Sequence, residues 1–130
     1  MINSNELRIG NIVDAINKRY NEKYIIVESV NSECINSDWR PYNFIQLTPI
    51  PLTPEVLLAA GFQKNKWAEE YSRSLFGDYS LSFDEVLTFK CDDDFYNYNL
   101  TQIKYLHQLQ NLIHSLTGTE LEIDLIKAIK

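Results

Sequence analysis

The stretch PIPLTPEVLLAAGF, residues 49–62, divides this 130-residue chain into parts with different periodicity. Thr53 can cap a helix with its hydroxyl, and Pro54 suits the first helical position because its missing N–H would have been unpaired there. Glu55 then favours the positive end of the helix, and Gly61 supplies a left-handed stop. Leu52 lies just outside the cap and can staple onto Leu57, while Phe62 can fold back onto Leu57 from the other end. The stretch therefore predicts a short, well-punctuated helix over 54–60.

Toward the N-terminus, the runs Asn11 to Ile16, Lys23 to Val30, Glu33 to Asn36 and Phe44 to Pro49 are rich in Ile, Val, Tyr and Phe, and polar clusters separate them. Short strands with hairpin-length connections bury little as a flat sheet, but they enclose a core if they curl. A small bent sheet or Src-homology-3-like barrel is expected over 1–52. Toward the C-terminus, Lys66 to Ser72, Tyr79 to Phe83, Val86 to Cys91 and Phe95 to Leu100 read as an antiparallel meander, with FGDYS as a turn. A helix over 102–117, packed across that sheet, follows. The period of two in TELEIDLI, residues 119–126, then argues for a closing strand. The expected fold class is α+β, with a β lobe at 1–52 and an α+β lobe at 53–130 packed as one compact unit, because the Pro49 to Pro54 connection is too short for a flexible linker.

The charge excludes some roles. Residues 1–53 hold 6 acids and 5 bases, and residues 54–130 hold 12 acids and 7 bases, so the net charge of −6 sits almost wholly in the second part. A field of that sign repels phosphate backbones, which disfavours nucleic acid as a partner except through the first part. Cys34 and Cys91 are isolated thiols, outside any CxxC pair. No apolar run approaches the roughly 20 residues needed to span a bilayer, and no secretory signal is evident, so a cytoplasmic protein without a membrane role is expected.

Three blocks, NELRIGNIV (5–13), PIPLTPEVLLAAGF (49–62) and IKYLHQLQNLIHSLTGTELEI (103–123), taken in that order, resemble an uncharacterised family of small proteins from Bacteroides-type bacteria and their phages or prophages. They cover roughly a third of the chain. The resemblance implies a mobile-element origin and transfers no activity, cofactor or catalytic residue.

On a helix at 100° per residue, Tyr105, Leu106, Leu109, Leu112, Ile113 and Leu116 form one apolar stripe, and His107, Gln110, Asn111 and His114 stack along its edge. The two histidines stand seven residues, roughly 10 Å, apart, whereas zinc-binding helices use i, i+4 pairs. Asn111 occupies the place that would complete a pair with His107. These four residues are expected to satisfy backbone groups of an adjoining loop or strand end, with a solvent-facing or partner-binding strip as the alternative. The run CDDDFYNYNLTQI fails as a calcium loop where the pattern is most diagnostic: Asn97 replaces the turn glycine and Ile103 the final glutamate. Asp92 to Asp94 read instead as a solvated turn.

Two clusters in the first part could meet a partner. DWRPYNF groups Trp39, Arg40 and Tyr42 with Phe44, and Trp, Tyr and Arg are the usual anchors of protein interfaces; the alternative is that Trp39 and Phe44 cover an open end of the core. NKRYNEK presents Lys18, Arg19 and Lys23 near Tyr20 and Tyr24, a pattern able to grip a nucleic-acid backbone, although Glu22 dilutes it. No nucleophile motif, phosphate-cradling loop or metal-ligand spacing is present. The expectation is no enzyme, no cofactor, no catalytic or metal-binding residue, and a module that binds a protein partner through the Trp39–Phe44 loop or the acidic second half, with a nucleic-acid-associated accessory protein using the 18–24 hairpin as the alternative.

Overall fold

A computed structural model describes residues 2–19, 22–67, 69–77, 79–91 and 97–124. It is an α+β protein whose described residues form two α-helices and eleven strands, all paired antiparallel. The chain divides into two compact units, Met1–Pro51 with Tyr105–Asn111, and Leu52–Lys104 with Leu112–Lys130. The boundary after Pro51 falls beside the expected one. Tyr105–Asn111, however, group with the first unit and not with the second.

In the first unit, β1 (Ile12–Ala15), β2 (Ile25–Ile26) and β6 (Leu47–Thr48) make one three-stranded sheet in the order β2-β1-β6. β3 (Ser29–Val30), β4 (Cys34–Ser37) and β5 (Arg40–Asn43) make another. Val13, Ile25, Val27, Ile35, Tyr42 and Leu47 share one core with Ile2 and Leu7. The expected barrel is not seen: no sheet closes on itself among the described residues. The expected strand Lys23 to Val30 breaks at Val27 and Glu28, where the chain changes partners. Val27 N–H donates to Asn11 C=O at 2.9 Å, and the next residue, Glu28, donates to Asn36 C=O at 2.9 Å. The expected strand Phe44 to Pro49 begins instead with a 3-10 turn, Phe44–Gln46, closed by Asn43 N–H donating to Gln46 Oε1 at 2.8 Å. Pro41 is tolerated because β5 is an edge strand.

In the second unit, β7 (Gln63–Lys64), β8 (Tyr71–Phe76), β9 (Tyr79–Phe83), β10 (Leu87–Cys91) and β11 (Asn97–Leu100) form one sheet in the order β11-β10-β9-β8-β7. Tyr71 and Leu87 both sit opposite Phe83, so they share a face with Leu81, two residues back along β9. All three of Tyr71, Leu81 and Leu87 are buried. Ser72, Ser80 and Thr88 occupy the opposite face, the alternation of a half-buried sheet.

Helix α1 (Pro54–Ala59) forms where its local signals place it. Thr53 Oγ1 accepts the Val56 N–H at 3.3 Å, and Pro54 opens the first turn. Gly61 takes φ +90° and Phe62 N–H donates back to Leu57 C=O at 3.0 Å, closing the C-terminus. The Arg73 guanidinium donates to Ala60 C=O, another carbonyl of that last turn. A Cβ at Gly61 would stand 2.6 Å from Arg73 Nη1. Gly61→Ala should therefore lower stability by about 1–2 kcal/mol, combining left-handed strain with displacement of the arginine cap. Thermal denaturation of the purified variant measures this, and an unchanged midpoint would contradict the account of the cap.

Helix α2 (Leu106–Thr117) starts later than expected. Pro51 and Tyr105 form an antiparallel bridge, and Leu106 N–H donates to Ile50 C=O at 2.8 Å, which holds the preceding chain extended. Gln108 Oε1 then accepts the Tyr105 N–H at 3.1 Å. Leu106, Leu109 and Ile113 are buried along the predicted stripe. The helix ends at Gly118, φ +74°, whose N–H donates to His114 C=O at 2.8 Å. The expected closing strand is absent over 121–124. Leu121 is buried and Asp124 N–H donates to Ala59 C=O at 3.2 Å, so this segment is tied to the end of α1. Leu125 and Ile126 lie outside the described residues. No described helix is long and apolar enough to cross a membrane.

Candidate functional site

The β4–β5 hairpin carries the residue that ordinary folding requirements explain least. Ser37 pairs with Arg40, leaving Asp38 and Trp39 as a two-residue turn. Their φ values are +51° and +64°, the signs of a type I′ turn, which suits the twist of the flanking strands and is normally built from Asn-Gly or Asp-Gly. Asp tolerates this region through its short polar side chain, whereas Trp gains nothing from it. Trp39 is nonetheless 96% exposed.

The tip is tied down from two sides. Asp38 forms an ion pair with Arg19, which also donates from Nη2 to Asp38 C=O at 3.2 Å. Asp38 N–H donates to Glu28 Oε1 at 3.1 Å. Glu28, Ser29, Asn36 and Trp39 line an open groove of about 330 Å³ beside the turn.

Of the three residues expected at a partner surface, the fold separates one. Tyr42 sits opposite Ile35 in the register and is 1% exposed, so it belongs to the core and offers no partner contact. Its ring carries the Arg40 guanidinium at 5.3 Å, a cation–π arrangement that occupies Arg40. Phe44 packs half-buried against the same core, and Trp39 covers no part of it.

The basic cluster is largely spoken for. Lys18 pairs with Asp14, Arg19 with Asp38 and, at 3.9 Å, with Glu22, whereas Lys23 is exposed and pairs with no carboxylate among the described residues. Tyr20 lies outside the described residues. Sequence reading singled out Arg19 as a phosphate-binding group and overlooked Asp38, nineteen positions away, as its partner.

The polar strip of α2 divides in the same way. Gln110, 1% exposed, accepts the Ile12 N–H on Oε1 at 2.8 Å and donates from Nε2 to Gly10 C=O at 3.1 Å. Asn111 donates to Glu6 C=O at 2.7 Å and accepts from Asn11 Nδ2 at 2.8 Å and Arg8 Nε at 3.2 Å. These two meet the expectation that the strip satisfies neighbouring backbone groups. His107 does not. It is 1% exposed with neither ring nitrogen hydrogen-bonded, and its imidazole is parallel to the Tyr105 ring at 6.1 Å. Burial pushes its pKa below the ordinary histidine value, and the Glu6 carboxylate opposes this more weakly. His114 is half-buried and takes no part in the network.

Among the described residues, no three His, Cys, Asp or Glu side chains are grouped so as to hold a metal ion. Asp92 to Asp94 lie outside them. Cys34 accepts a hydrogen bond from Asn31 Nδ2 at 3.4 Å. Comparison of the chain with protein-family models, with curated proteins and with solved structures finds no match. The Trp39 tip, an exposed indole on a left-handed turn, is the most specific feature of the described surface.

Proposed function

We propose that this chain is a non-enzymatic protein-interaction module of phage or mobile-element origin, acting in the cytoplasm and docking a protein partner through Trp39. The observation that carries the proposal is an indole 96% exposed on a turn whose backbone disfavours it. A left-handed conformation costs a non-glycine residue roughly 1–2 kcal/mol, and an exposed tryptophan returns none of that through burial in the isolated chain. Such an indole recovers free energy once a partner's pocket buries it, and tryptophan is among the residues that most often dominate interfaces. The Arg19–Asp38 pair and the Glu28 hydrogen bond support this reading because they hold the tip in one conformation, which lowers the ordering cost of binding. A nucleic-acid role through Lys18, Arg19 and Lys23 is disfavoured, since carboxylates already neutralise two of the three.

Trp39→Gly separates docking from folding. It installs the preferred Asp-Gly turn and should raise stability by about 1 kcal/mol, while retention of the partner by the immobilised chain falls at least about tenfold. Denaturation and quantitative capture from host lysate, with and without nuclease, measure both. Undiminished capture of the same protein by the variant would overturn the proposal, as would salt-sensitive retention of DNA or RNA in place of a nuclease-resistant protein.

A further inference from the structure

The groove beside Trp39 has a chemistry that narrows what the partner must bring. Glu28 spends Oε1 on the Asp38 N–H, and Asn36 donates from Nδ2 to Ser29 Oγ at 2.9 Å. The Glu28 carboxylate and the Asn36 side-chain amide line the solvent-open groove together with Ser29 and the Trp39 indole. A carboxylate, an amide oxygen and a π face are all electron-rich. No ion pair to Glu28 is formed among the described residues; Arg19 is bound to Asp38, and Arg40 lies over Tyr42.

We infer that this groove binds an arginine side chain of a partner protein, with the guanidinium stacked on the Trp39 indole and donating to Glu28. The planar guanidinium is the side chain whose face can lie on an indole while its in-plane N–H groups reach a neighbouring carboxylate. An ammonium can make either contact but lacks the flat face for both, and an anion meets Glu28. This inference rests on the reading that Trp39 docks a partner and adds what the partner presents to it.

The test uses the full chain carrying Trp67→Phe, which leaves Trp39 as the single tryptophan and its fluorescence as the reporter. The probes are a capped tri-arginine peptide, its tri-lysine counterpart and its citrulline counterpart, the last of which keeps the shape of arginine and removes the charge. Saturable fluorescence change with arginine, weaker with lysine and absent with citrulline, is expected. Glu28→Gln keeps an oxygen for the Asp38 N–H and removes only the charge, so it should weaken the arginine peptide about fivefold. Equal binding of citrulline or lysine, no loss in Glu28→Gln, or no saturable change with arginine up to the peptide's solubility would each overturn the inference. The two readings fail separately. If Glu28→Gln leaves peptide and partner binding intact while Trp39→Gly abolishes capture, the arginine groove falls and the docking tip stands. If Trp39→Gly leaves capture intact, the docking reading itself falls.

Discussion

Gln110→Leu should destabilise the first unit by about 2–4 kcal/mol, the largest loss expected from any single polar substitution in the chain. Gln110 is 1% exposed and is the hydrogen-bond partner, through side-chain atoms, of two backbone groups roughly a hundred positions away. Leucine leaves the Ile12 N–H and the Gly10 C=O without those partners in a place where water cannot fully replace them. A missing partner costs a buried backbone group about 1–3 kcal/mol. Gln110→Glu sharpens the test: it keeps the size and one acceptor for Ile12, but turns the donor facing Gly10 C=O into a second oxygen and buries a charge. Both variants should unfold at lower denaturant, and the Ile12 amide should exchange faster in Gln110→Leu. If Gln110 were part of a solvent-facing strip, both would be close to neutral, and that result would remove the network from the account of the fold.

The same residues mark how far the sequence could be read. Helix α1 was legible because every signal that fixes it is local: the Thr53 cap, Pro54 in the first turn and Gly61 after the last lie within nine residues. Gln110 and Asn111 were placed on one edge of α2 by spacing alone. Which member of that edge would find a partner depended on where segment 6–12 runs, and helical spacing carries no such information. The strands failed for a related reason. Lys23 to Val30 is continuous in β propensity, yet Val27 pairs back toward Asn11 and Glu28 toward Asn36, a choice made by tertiary register. The hairpin tip holds the signal that was missed. With Asp38 and Trp39 as a two-residue turn, Ile35 and Tyr42 fall opposite each other, so one register decision buries Tyr42 and leaves Trp39 outside. Asp at the first turn position hinted at that register, whereas Trp in the place usually taken by glycine argued against it.

Replacing His107 should stabilise the protein, the reverse of what loss of a buried hydrogen-bonding side chain ordinarily does. The imidazole is buried and neither nitrogen has a partner, so the folded state bears its desolvation without a compensating hydrogen bond. His107→Leu removes both polar atoms while keeping apolar bulk, and should gain about 1–2 kcal/mol at pH 7. Acid adds a second signature. Because burial lowers the folded-state pKa, the unfolded chain binds the proton more readily. Stability is therefore level above the ordinary histidine pKa of 6.5 and falls as the pH drops from there toward the depressed folded value. The limiting slope is about 1.4 kcal/mol per pH unit. Glu70, held low chiefly by the Ser82 hydroxyl, and Asp84, held low by the Glu85 and Val86 amides, lose their contributions only below the usual carboxylate range. Between roughly pH 5 and 6.5, the stability difference between wild type and His107→Leu thus isolates this one imidazole, and it should widen as the pH falls. Urea melts of the two proteins across that range measure it. A difference that stays constant with pH, or a variant less stable than wild type at pH 7, would mean that the ring has a partner after all.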